Sequence, residues 1–159
     1  MAQNKPFQWY SDGNAPGFPG MKADAAVDVV DSFACEGGCE PGDLVIRGTD
    51  KEAQAKAAAA ANDVPLGIVL HTHKEPAEGT ENYYPAGYAL PVMTAGDVWV
   101  KAGGTVAAGD PVAFTLTKGF TKGTETTSSG NVFLTGGDEG DVVKIRVKNA
   151  AAIKVAAAS

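Results

Sequence analysis

The sequence predicts an all-β fold, a small β-barrel or β-sandwich-like domain with an extended N-terminal arm and at most one short helix. Three observations carry that expectation. Outside its 27 alanines, the aliphatic content is led by 16 Val and 4 Ile against 6 Leu and 3 Met, with 12 Thr beside them. Branched side chains suit a pleated sheet and lose rotamer freedom in a helix. The 20 Gly and 9 Pro cut the chain into short pieces, and several of these alternate apolar with polar residues, the period of a half-buried strand. A chain of 159 residues makes one domain, with or without an arm, and can bury a core without obligatory staples.

Residues 1–24 read as the arm. They hold Pro6, Pro16 and Pro19 with no sustained period, yet Phe7, Trp9, Tyr10 and Phe18 lie among them. A passive linker is poorer in aromatics. The arm therefore packs on its own domain or reaches onto a partner. Its opening stretch, MAQNKPFQWYSDG, has no apolar core of a secretory leader, so cytoplasmic synthesis is expected.

The body spans 25–148. Ala26–Phe33 starts it as a strand, and Gly42–Arg47 follows. Pro65–Leu70 is another, with room to continue through His71 and His73. Gly87–Met93 contains Pro91, which suggests a sheet edge or a bulge. Asp97–Lys101, Asp110–Leu116, Asn131–Thr135 and Asp141–Lys148 complete the set. In the last, Val143, Ile145 and Val147 share one face and Lys144, Arg146 and Lys148 the other. Between strands, Thr49 and Glu52 stand at capping-box spacing within the Ala-rich Thr49–Ala61. A short helix is expected there, although Ala53, Ala55 and Ala57 alternate with Gln54 and Lys56 as in a strand. The loop Thr117–Asn131 is polar and Gly-rich, an exposed hairpin tip, and Gly103-Gly104 and Gly136-Gly137 read as hairpin turns. The tail, 149–159, is a last short strand or a loose end.

One pattern recurs at Gly42-Asp43, Gly96-Asp97, Gly109-Asp110 and Gly140-Asp141, each followed after one residue by an apolar side chain. Gly supplies a turn with positive φ, and Asp bonds to local backbone and starts a strand. Single aspartates at separate turns do not gather the several oxygens Ca²⁺ needs.

Charge and chemistry exclude more than they suggest. Net charge is −6, which disfavours nucleic acid and anionic membrane as partners. No apolar run approaches a membrane span. Cys35, Cys39, His71 and His73 match the ligand count of tetrahedral zinc, but they are the only Cys and His in the chain, so the match is partly forced. A small disulfide loop is the next reading, and two free thiols the favoured one. No nucleophile-elbow or phosphate-loop motif is present. Trp99, on a strand, is expected in the core. Of the adjacent Tyr83 and Tyr84, only one can face inward if they lie on a strand.

The order Gly42–Asp50, Asp63–Val69, Tyr88–Met93, Ala95–Val100, Val106–Val112 and Gly140–Val147 resembles the capsid cement, or head decoration, proteins of tailed bacteriophages. The resemblance covers residues 25–148. It implies a β-rich domain with no enzymatic activity and no cofactor. Such a protein would be made in the host bacterial cytoplasm and bind the major capsid protein on the outer capsid surface. There it would lock neighbouring capsomers together, most often as a homotrimer. Contact is expected through Phe7, Trp9, Tyr10 and Phe18 of the arm and through Tyr83 and Tyr84. The alternatives are a biotinyl- or lipoyl-type carrier barrel, which needs a lysine such as Lys118 or Lys122 at an exposed tip, and a small zinc-binding β protein or hydrolase.

Overall fold

Ten strands lie in the residues that the computed structural model describes, 17–23, 27–72, 83–124 and 130–157. They are β1 (Val29–Cys35), β2 (Leu44–Arg47), β3 (Gln54–Ala57), β4 (Gly67–Val69), β5 (Ala89–Lys101), β6 (Val112–Thr115), β7 (Gly119–Lys122), β8 (Val132–Phe133), β9 (Val142–Val147) and β10 (Val155–Ala156). A 3₁₀ turn at Ala150–Ala152 is the only helical element among the described residues. The pairing β1-β3-β2-β4-β5 returns to β1, so these five strands close a barrel. Beyond it β5 continues into β9 and then β8, while β10, β6 and β7 form a separate three-stranded sheet.

Alternation along the barrel strands separates two cores. Val45, Val69 and Val92 point into the barrel with Cys35, Ala55 and Leu90. Their neighbours Leu44, Ile68 and Met93 point outward and join Val98, Val100, Phe133, Val143, Ile145 and Ile153 in the larger core. Neighbouring side chains on one strand face opposite ways, so one barrel wall serves both cores. The long β5 spans both units. Gly96 bends it at φ 138°, and a Cβ there would stand 2.8 Å from Asp28 Cβ and 2.9 Å from Met93 Sδ.

The Gly-Asp pattern is a single turn used three times. Gly42, Gly109 and Gly140 have φ of 91°, 92° and 95°. The aspartate after each accepts a hydrogen bond from the backbone N–H three residues before it: Asp43 from Glu40, Asp110 from Ala107 and Asp141 from Asp138, at 2.8–2.9 Å. Asn62-Asp63 is a further copy that the Gly-based pattern misses. Asn62 takes φ 67°, and Asp63 accepts from the N–H of Ala60. Asn tolerates the left-handed region better than most residues. The copy at Gly96-Asp97 is different. It lies inside β5, and its aspartate is only 3% exposed.

Two of these turn aspartates titrate in opposite directions. Burial holds Asp43 above its ordinary value of 3.8, against the Glu40 N–H bond and with the Glu40 charge adding to the rise. Asp110 is held down by its hydrogen-bonded partner Lys122 and by the Ala107 N–H. A raised folded-state pKa means that Asp43 favours folding most below the ordinary carboxylate range. That contribution is lost as pH climbs through the raised value. Asp43→Asn keeps an oxygen for the Glu40 N–H and cannot ionise. Relative to wild type, the variant is therefore expected to gain stability as pH rises from the acid range to neutrality. Urea melts across pH check this, and a pH-independent gap contradicts it.

The structure corrects several sequence expectations. Residues 49–61 form no helix. Asp50 Oδ1 accepts from Glu52 and Ala53, which closes a turn, and Glu36 takes both the N–H and the hydroxyl of Thr49. The chain then enters β3 between β1 and β2, with Ala55 fully buried in the barrel. Ladder pairing on both sides outweighs the helix propensity of alanine, high as it is, because propensity is a weak determinant against tertiary pairing. Gly87–Met93 and Asp97–Lys101 are parts of the single strand β5. The supposed tip Thr117–Asn131 contains β7, whose Phe120 packs edge-on against Phe114. Gly103-Gly104 joins β5 to a segment with which it does not pair, so it is no hairpin turn. The tail is docked: Ile153 and Val155 are buried, and β10 runs parallel to β6.

Candidate interaction surface

The described end of the arm lies on its own domain. Gly20 donates to Trp99 O at 2.8 Å, Trp99 to Met21 O at 2.9 Å and Ala23 to Asp97 O at 2.9 Å. Residues 20–23 thus extend the edge of β5 that β1 covers further along. Gly17 rests on Trp99: a Cβ there would lie 2.5 Å from the indole Cδ1. Trp99 is therefore not the core residue the sequence suggested. Its neighbours Val98 and Val100 are core, and the indole lies half-buried on the opposite face beneath the arm. Phe7, Trp9 and Tyr10 lie outside the described residues.

Three expected contact residues come together in a ladder of rings. Phe18 meets His71 edge-on at 4.6 Å, His71 meets Tyr83 at 5.0 Å, and Tyr83 meets Tyr84 at 4.9 Å. Exposure falls along it. Phe18 is 45% exposed, Tyr83 is half-buried, and Tyr84 is 1% exposed. Tyr84 is thus a core residue in this chain, and its ring offers no surface.

Its task follows from Pro91. Val69 pairs with Val92, so Leu70 and Pro91 come next. Leu70 donates to Pro91 O at 2.9 Å, but proline has no N–H with which to return the bond. The Tyr84 hydroxyl donates to Leu70 O at 2.6 Å instead, and Thr72 Oγ1 lies 3.0 Å from the same hydroxyl. Of the edge or bulge that Pro91 suggested, the edge is absent, since Pro91 lies inside the barrel wall, while the β1–β5 pairing shifts register close by, between Val29↔Ala95 and Val30↔Met93. Tyr84→Phe leaves a buried carbonyl without its donor, and is expected to cost about 1–3 kcal/mol of stability. Chemical denaturation checks this, and a change below about 0.5 kcal/mol, the usual scatter of neutral substitutions, contradicts it.

The zinc reading finds no assembled site. Cys35 and Cys39 are free thiols inside the barrel, and Cys35 Sγ donates to Tyr84 O at 3.3 Å. Burial, with Cys35 beside it, pushes the Cys39 thiol far up. His71 lies in the ring ladder, and His73 is outside the described residues. Among the described residues, no three His, Cys, Asp or Glu group to hold a metal ion. Buried, protonated thiols react slowly. Both cysteines are expected to resist a thiol reagent in the native protein and to react together on unfolding. Labelling of either at the rate of a free peptide contradicts this.

Other surfaces are simpler. Val27 is 94% exposed, and Val29 and Val30 are exposed along β1. There β1 pairs with β5 on one side only, because β3 reaches just Ala34 and Cys35. A cleft of about 250 Å³ against the β10-β6-β7 sheet is lined by Thr115, Thr121, Lys122, Lys154, Phe114 and smaller apolar residues. Lys118 stands in the β6–β7 turn, and Lys122 is paired with Asp110 at 2.9 Å.

Comparison with known proteins gives this surface a context. A family model described as "Structural cement protein (E217 gp24/Pam3 gp6)" matches residues 6–148. No curated protein matches the sequence. Among solved structures, the fold is similar to the N base of head fiber gp8.5 in bacteriophage phi29, with TM-score 0.53 and 13% identity over 77% of this chain and 95% of that one. It is also similar to a chain in the capsid of Myoviridae phage XM1, with TM-score 0.62 and 15% identity over 83% of this chain and 90% of that one. At such identities the likeness is one of fold.

Proposed function

Because the chain belongs to the phage structural cement protein family, we propose that it binds the outer face of a phage capsid and stabilises it by bridging neighbouring capsomers. The observation that carries this reading is the family match across residues 6–148, which includes most of the arm as well as the β domain. A small rigid domain with an aromatic-rich extension suits the task. The domain supplies shape, and the extension reaches a second protein. The major capsid protein is the partner, and the virion surface is the location. Cementing works by linkage: a protein that binds only the assembled shell favours the assembled shell. No residue acts as a chemical agent, and no cofactor is required.

The exposed aliphatic edge of β1, with Val27, Val29 and Val30, suits contact between copies of the chain, three around a local threefold axis. Phe7, Trp9, Tyr10 and Phe18 are the docking residues toward the shell, with Tyr83 behind Phe18.

Co-sedimentation tests the reading. Purified protein is mixed with shells stripped of it, and the pellet is quantified by mass spectrometry. Saturable binding at a fixed ratio to the major shell protein is expected. Protein that stays in the supernatant at every concentration contradicts the proposal.

A further inference from the structure

The outer face of the β5–β9–β8 sheet stands apart from the rest of this acidic chain. Register sets its rows. Trp99 lies opposite Lys144, Asp97 opposite Arg146, and Arg146 opposite Val132. Met21 joins the first row through its hydrogen bond with Trp99 and is 39% exposed. Lys148 follows β9 and is exposed, with Gly130 against its stem. The only carboxylate within these three strands is Asp97, and Arg146 holds it through two bonds of 2.8 Å. The face therefore presents an apolar centre, Trp99 and Met21, beside a row of cations on a chain whose net charge is −6. Trp, Met and Arg are enriched in protein interfaces, and charges at the rim steer the encounter.

The arm adds a second, independent observation. Residues 1–16 join the described structure at Gly17, and Gly17 stands on the Trp99 indole. The described part of the arm thus begins on this face, over Trp99.

We infer that this face, centred on Trp99 and Met21 and bordered by Lys144, Arg146 and Lys148, seats the domain on an acidic protein surface of the shell. The inference rests on the cement reading and adds which side faces inward and the charge of what it meets. A polyanionic nucleic acid is the less suitable occupant, because the chain as a whole repels it.

The test uses full-length protein on stripped shells at low and high salt. K144E/K148E is compared with K118E/K154E, which makes the same charge change at exposed positions of the β10-β6-β7 sheet. Equal urea midpoints establish that each variant folds. The first pair is expected to weaken shell binding about ten-fold, the second to leave it unchanged, and added salt to weaken wild type but not K144E/K148E. Equal behaviour of the two pairs overturns the inference while leaving the cement reading intact. Binding of a DNA duplex that K144E/K148E abolishes also overturns it. Wild type that leaves shells bare overturns the cement reading, and this inference with it.

Discussion

Replacing Arg146 by methionine is expected to lower the unfolding free energy by about 3 kcal/mol, the cost of leaving a buried charge without its partner. The argument turns on asymmetry. The Asp97 side chain is 2% exposed, whereas that of Arg146 is 42% exposed. Without the guanidinium, the carboxylate stays under the sheet with its two strongest hydrogen bonds gone. Without the carboxylate, Arg146 can turn to water. Asp97→Ala is therefore expected to cost less, about 1–2 kcal/mol, because solvent screens the charge left behind. The double variant is expected to be no worse than Arg146→Met alone. Denaturant melts of the three proteins check the order. Equal costs for the two single variants contradict it.

Removing residues 1–16 is expected to reduce occupancy of shells at least about ten-fold while leaving the domain folded. A few aromatic anchors carry most of the energy of a typical interface, each worth about 2 kcal/mol or more. Phe7, Trp9 and Tyr10 supply three in that segment. The truncation keeps Gly17 over Trp99 and the hydrogen bonds from Gly20 to Ala23, so domain stability should change little. Unchanged occupancy at limiting protein contradicts the docking role of the arm.

Much of the fold was legible because its signals are local. The alternation Val143-Lys144-Ile145-Arg146-Val147 gives β9 and both its faces. The Gly-Asp turns announce three strand starts through positive φ and a side-chain bond to the preceding N–H. What failed depended on neighbours distant in sequence. Ala55 is a strand residue because β1 and β2 flank it, and nothing within Thr49–Ala61 reports that. Gly96-Asp97 carries the turn pattern, yet Arg146, 49 residues away, draws the aspartate into the sheet.

The interaction surface was partly legible for the same reason. Aromatic content marked Phe18 and Tyr83, which share one ring ladder. Tyr84 looked the same in sequence. Only the missing N–H of Pro91 gives it a buried partner, Leu70 O. A proline inside an otherwise strand-like run was the available signal, since the carbonyl opposite it must find another donor. Trp99 reads as core in sequence because it stands between Val98 and Val100, but those two face the core, so strand alternation turns the indole to the other side, under Gly17.

The most direct test of the cement function is the thermal disruption of purified shells with and without saturating protein, followed by release of shell protein from particles. The account predicts that disruption shifts to higher temperature in proportion to occupancy, and that protein lacking residues 1–16 gives no shift at matched concentration. Disruption at the same temperature with full occupancy would contradict it, because the chain would then decorate the shell without holding it together.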